Sequence, residues 1–268
     1  MIDDAVLSRI LSAALAGGGE FAEVFGEDKR STSAVLDDGR IEELSSGRDR
    51  GAGVRVISGD TTGYAHTSDI SEPGLRAAAE AAGAAARRGG AGANVVALDR
   101  QATQHPSRVR VQPEDVAKSA KVELLRRADE AARSADGSIS QVSARYGDSR
   151  RRILVANSDG LLAHDDQVRS LFSVGVVATG DTGMQTGRQS VGHTIGFELF
   201  DRYEVEDLAR NAARRAVTKL AARPAPSGEV PVVIGAGGRR SAVPRGVRAR
   251  ARGGPGGKGG IGLPRPGR

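Results

Sequence analysis

From Gly238 the chain reads GRRSAVPRGVRARARGGPGGKGGIGLPRPGR, with eight Arg, one Lys and no Asp or Glu. Such a segment has too little apolar area to offset the entropy of ordering it and is predicted to be disordered. Folding is therefore expected of residues 1–237 alone. The formal charge of the whole chain is +6 and its pI is near 10.1. The tail carries +9 of that, which leaves 30 basic against 33 acidic residues, a net of −3, in the body. An affinity for nucleic acid would thus be non-specific and confined to the tail. That tail has no aromatic residue on which bases could stack.

The body alternates helical and strand patterns. Leu7, Ile10, Leu11, Ala14 and Leu15 fall on one face of a first helix, which Gly17 to Gly19 end. The stretches EFAEVFGED, STSAVLDDG, RIEELSSGRDRG, AGVRVISGD and TTGYAHTSD read as short strands of an antiparallel meander. Turns at Asp38-Gly39 and Ser58-Gly59-Asp60 punctuate them. Ser71, Glu72 and Pro73 start a helix that runs to about Arg88. Its nearly all-alanine centre implies close packing on a sheet. GGAGANVVALDRQATQHPSR has the composition of a connection.

The second half repeats the plan in another order. Pro113 opens a helix with Val116, Val122, Leu124, Leu125 and Ala128 among its apolar positions. The strands SISQVSARYGDS, RRILVANSDG, LLAHDDQVRSLFSVGVVATG and GMQTGRQSVGHTIGFEL follow, with a hairpin turn at Asn157 to Gly160. A further helix brings Leu208, Ala212, Ala216 and Leu220 to one face, and PVVIGAGG adds a short buried strand. The class is α+β: two helix-plus-antiparallel-sheet units.

Candidate chemistry is sparse. There is no cysteine, which excludes disulfides and thiolate metal sites and fits a cytoplasmic protein. No run is apolar enough to span a membrane, so no membrane partner is expected, and the acidic start is unlike a signal peptide. His66, His105, His164 and His193 are never three to five residues apart, so no helical metal pair exists. His164 before Asp165 and Asp166 reads as a polar strand position, and His66 and His193 as strand positions. Gly235 to Gly238 begin a dinucleotide fingerprint without its helix or ribose-binding acid. Ser31, Thr32 and Ser33 near Asp37 lack a GxSxG elbow. The residues assign no catalytic, cofactor-binding or metal position.

The segment order carries more. GRDRGAGVRVISGDTTGYAHTSDIS, then VANSDGLLAHDDQVRSLFSVGVVATGDTGMQTG, then ARNAARRAVTKLAARPAPSGEVPVVIGAGG resembles the TldD/PmbA family, the modulators of DNA gyrase, and its TldD branch most closely. The resemblance runs from about Asp3 to Gly238. It implies a zinc-dependent cytosolic peptidase of unfolded peptides that pairs with a PmbA-type paralogue. It also implies an N-terminal domain over 1–97, a central domain over 98–224, and the first strand of an incomplete catalytic domain over 225–237. Residues 238–268 form the tail.

The family's HExxxH zinc motif should follow PVVIGAGG, yet no His follows His193. Shifted forward by one nucleotide, the codons for Val243 to Gly256 can spell FHEACGHGLEADL if their free middle letters are suitable. A truncation or frameshift before the motif is the expectation, and with it a chain that binds no catalytic zinc and cleaves nothing. A non-catalytic binding module and a nucleic-acid-binding protein are the alternative functions. The strand VPVVI, lacking partner strands, would expose an apolar edge and lower solubility.

Overall fold

The computed structural model describes residues 2–86, 93–102, 109–223, 228–229 and 231. Two compact units divide the chain, Met1–Ala222 and Arg223–Arg268. The tail, the strand expected around Val232–Ile234, Gly235 to Gly238 and His105 lie outside the described residues.

The first unit is helical at Asp4–Leu15 (α1), Glu72–Ala85 (α2), Lys118–Arg133 (α3) and Val205–Leu220 (α4). Its strands are Phe21–Asp37 (β1), Arg40–Ser58 (β2), Thr61–Thr67 (β3), Asp99–Gln101 (β4), Ile139–Asn157 (β5), Leu161–Gly180 (β6) and Gly183–His193 (β7). All seven belong to one sheet in the order β3-β2-β1-β5-β6-β4, with β7 also on β6. Every pairing is antiparallel except β4 with β6. The α+β class therefore holds, with the two expected helix-plus-sheet halves of the first unit fused along β1 and β5, from Glu23↔Asn157 to Asp37↔Ser143.

Three expectations are corrected. The stretches read as pairs of short strands are single strands of 17 to 19 residues, whereas LLAHDDQVRSLFSVGVVATG is one strand, as read. No glycine-centred turn interrupts them, because their charged middles are paired on the sheet rather than released to solvent. The helix expected from Pro113 is broken: Pro113–Asp115 form one 3-10 turn, Val116 is extended at ψ 128°, and α3 starts only at Lys118. The second half also repeats the first in the same order, helix, three strands, helix: α1-β1-β2-β3-α2 and α3-β5-β6-β7-α4. Part of the glycine-rich connection forms β4.

Local chemistry accounts for the ends. Asp3 caps α1, its Oδ1 accepting the Ala5 N–H at 2.9 Å, and Ser71 Oγ accepts the Gly74 N–H at the start of α2. The five residues predicted for the inner face of α1 are those it buries. Asp38 and Gly39 both have positive φ, 46° and 79°, which closes the two-residue β1–β2 hairpin. Asn157 Oδ1 accepts from Asp159 and Leu161 at the β5–β6 turn.

Each half has its own core on the same side of the sheet. Leu7, Leu11, Leu75, Val54, Val56 and Leu154 belong to the first, and Leu125, Tyr146, Phe172, Val174, Leu199 and Ala212 to the second. The alanine-rich α2 approaches the sheet as closely as expected, and α4 does the same. A Cβ on Gly63 of β3 would lie 2.0 Å from the Ala82 carbonyl oxygen of α2. One on Gly187 of β7 would lie 1.9 Å from that of Ala212 on α4.

Candidate functional site: the two faces of the sheet

Strand parity sorts the chemistry. Every buried residue of β1 and β5 is even-numbered, so even positions face the helices and odd positions face away. Between the two cores, the helix side of the sheet is ionic. Arg30 and Arg150 stand directly opposite each other on β1 and β5, a repulsive placement on its own. Glu114, delivered by the 3-10 turn, separates them: its Oε2 accepts from Arg30 at 3.0 Å and its Oε1 from Arg150 at 2.6 Å. Partial burial alone would raise the Glu114 pKa, but these two guanidiniums hold it below the usual carboxylate value. Arg150 also grips Asp166 through Nε and Nη2, which raises its own pKa.

Two acids flank this bridge. Asp28, only 7% exposed, takes both arms of the Arg48 fork at 2.9 and 2.7 Å, which lowers its pKa. Asp148 accepts from Lys121 Nζ at 2.7 Å, and Lys121 is 2% exposed above the Tyr146 ring. A buried lysine keeps its charge only with such a partner, since desolvating an unpaired ammonium costs several kcal/mol, on the order of the pair's whole attraction. A second carboxylate does similar work at the edge of the core. Glu198 accepts backbone N–H groups from Arg110 at 3.1 Å, Val111 at 3.0 Å and Gly196 at 3.2 Å. Its burial, which alone would raise the pKa, is outweighed by these donors, and the pKa is lowered.

The opposite face of the sheet is open. Its odd positions on β1, β2, β5 and β6 include Gly47, Gly51, Gly53, Gly147 and Gly175. Phe25, Tyr64, Leu171 and Met184 stand exposed upon it. Leu171 is 47% exposed because both of its cross-strand neighbours, Gly147 and Gly192, lack side chains. A hollow of about 440 Å³ lies beside it, reaching Arg169 and His193. A second, of about 570 Å³, is floored by Ser143, Ser173 and Gly175 between Arg145 and Arg188. Asp37 also lines it, but its carboxylate is taken by Ser143 Oγ and by Gln141 Nε2 at 3.1 Å, which lowers its pKa. Arg145, Arg169 and Arg188 form no ion pair among the described residues. On the β1–β3 side, Phe25, Tyr64 and His66 line a third hollow, with Arg151 over the Phe25 ring.

The described histidines stay apart. His66 stacks on Tyr64 on the open face, and His193 Nε2 lies 3.0 Å from the Tyr203 hydroxyl at the end of β7. His164 sits on the helix side of β6, where burial and then Arg100 lower its pKa. Its neighbour Asp166 serves Arg150 rather than the imidazole. Ser31, Thr32 and Ser33 occupy the middle of β1, and Asp37 bonds to β5 instead of to them. Among the described residues no three His, Asp or Glu side chains group suitably for a metal ion, and no helix is long and apolar enough to cross a membrane. A zinc site does not fit this donor set. The residues missed in the sequence are Lys121, Glu114 and the three arginines. Only the last carry a signal there, as charges alternating with Gly and Ser along predicted strands.

Comparison with known proteins gives a consistent answer. Residues 22–86 match the model for PmbA/TldA metallopeptidase domain 1, and residues 112–220 match that for the PmbA/TldA metallopeptidase central domain. A Metalloprotease TldD homolog of Haemophilus influenzae is 33% identical over 232 residues, covering 81% of this chain and 46% of the relative. A metalloprotease of Methanothermobacter thermautotrophicus is 32% identical over 218 residues, covering 80% and 46%. The chain thus spans about half the length of the curated relatives it matches. Among solved structures, a protein described as a modulator of a DNA gyrase from Thermotoga maritima superposes with a TM-score of 0.70 at 15% identity, over 84% of this chain and 50% of that one. TldE from Thermococcus kodakarensis gives 0.63 at 15% identity, over 79% and 47%.

Proposed function

Because this chain belongs to the PmbA/TldD metallopeptidase family, we propose that it supplies the N-terminal and central domains of a TldD-type zinc metallopeptidase subunit and is catalytically inactive as written. The domains are those drawn above, 1–97 and 98–224, with the start of a catalytic domain at 225–237. The observation that carries the reading is the in-order match of both domain models on one continuous sheet, in a sequence without an HExxxH motif. Zinc in such an enzyme lowers the pKa of a bound water and polarises the scissile carbonyl. None of the described residues is assigned to that step. Their part is to hold peptide and partner, the partner being a PmbA-type paralogue and the substrates unfolded peptides in the cytoplasm.

The test compares the 268-residue product with one expressed from the same gene read one nucleotide ahead from codon 243. Only the second is expected to bind one equivalent of zinc and to hydrolyse peptides when its paralogue is added. Stoichiometric zinc with hydrolysis by the 268-residue chain would overturn the proposal, as would codons unable to spell the motif.

A further inference from the structure

We infer that the open face of β5, β6 and β7 is a binding surface for an acidic, extended peptide segment, seated over Leu171 and held by Arg145, Arg169 and Arg188. Three independent features converge there.

The first is uncompensated charge. On the helix side Arg30, Arg48, Arg150, Arg152 and Lys121 each have an acidic partner, as do Arg55 and Arg151 on the open side. Arg145, Arg169 and Arg188 have no such partner among the described residues, although they sit on three adjacent strands. Asp37, the acid nearest Arg188 along the rung Asp37-Ser143-Gly175-Arg188, is already occupied by Ser143 and Gln141.

The second feature is relief. Arg145 lies opposite Ser173, Arg188 opposite Gly175 and Arg169 opposite Ser149, so each cation borders a position with little or no side chain. The result is two hollows along β6, separated by Leu171 and together far larger than one side chain needs. Leu171 leans over Gly192, where an added Cβ would come within 2.9 Å of its Cδ1. The third feature is that exposed apolar ridge itself, which can cover a flat backbone while the arginines meet carboxylates on either side.

Charge complementarity fixes the sign of the occupant, and the aliphatic ridge favours a peptide over a nucleic acid. Among the described residues the arginine side of this face carries no aromatic side chain, since His193 lies opposite the buried Ser170 and stacks on Tyr203. Single-stranded nucleic acids are gripped mainly by base stacking and by longer tracks of cations. The inference deepens the peptide-holding part of the proposed function, and its test needs neither zinc nor hydrolysis, so the two can fail separately.

The chain contains no tryptophan, so Leu171→Trp provides a sole reporter inside the surface. Titration with an octapeptide of Asp, Glu and Ser is expected to change the tryptophan emission saturably, more weakly as salt is raised. Adding Arg145→Ser, Arg169→Ser and Arg188→Ser should raise Kd about tenfold or more, with circular dichroism unchanged. Arg188→Ser alone should show part of the loss, which guards against a misfolded triple variant. Binding without an emission change, equal affinity of the arginine variants, or an equal response to a Lys/Ser octapeptide would overturn the proposal. An arginine-dependent response to a single-stranded oligonucleotide but not to the acidic peptide would also overturn it.

Discussion

Glu198 is a carboxylate whose three partners are backbone donors, from Gly196 in its own turn and from Arg110 and Val111 far away in sequence. Those bonds lower its pKa in the folded state. The stability it contributes is therefore complete above the unfolded glutamate value of about 4.3 and is lost as pH falls through the lower folded value. Glu198→Gln puts an amide NH₂ among N–H donors and should cost about 1–3 kcal/mol near neutrality. Urea unfolding at neutral and acid pH checks this: the gap between wild type and variant should narrow in acid, where the wild-type carboxyl is itself protonated. None of this was legible in the sequence, because Glu198 stands in GFELF like any surface acid. Lys121 was equally opaque. Helical periodicity identified Leu124, Leu125 and Ala128 as core, but a lysine on the same face reads as an error until Asp148 arrives from β5 to neutralise it.

The helices and turns were predicted well where a local signal fixes them. Ser71 and Pro73 start α2, and Asp38-Gly39 and Asn157 to Gly160 close their hairpins, since caps and positive-φ residues act over a few positions. Strand length is not legible in the sequence, because pairing across β1 and β5 lets an extended strand tolerate charge in its middle. The alanine runs carried real information: they mark helices that lie directly on an edge strand. Gly63 and Gly187 are the matching halves of that contact, and their Cα atoms leave no room beneath Ala82 and Ala212. Gly63→Ala and Gly187→Ala should each destabilise the fold by about 1–3 kcal/mol through overpacking, whereas Gly137→Ala, with nothing within 4 Å of the new Cβ, should not. Thermal unfolding of the three variants makes the comparison.

At the scale of the molecule, the order of segments revealed the family while single residues revealed no active site. That follows from the fold: one side of the sheet is spent on two cores with an ionic strip between them, and the other sets exposed apolar side chains and scattered charge among glycine and serine. The repeated α-β-β-β-α plan places Arg30 of the first half opposite Arg150 of the second, with Glu114 between. The two halves meet chiefly through a ladder running from Glu23↔Asn157 to Asp37↔Ser143, to which β4 of the linking peptide adds three pairs with β6. Covalent continuity across that linker is thus dispensable once folding is complete. A chain cut after Gln101, which leaves β4 with the first piece, should travel as one species in native gel filtration and come apart only in denaturant, so that two separately expressed pieces could be mixed and refolded into the intact sheet.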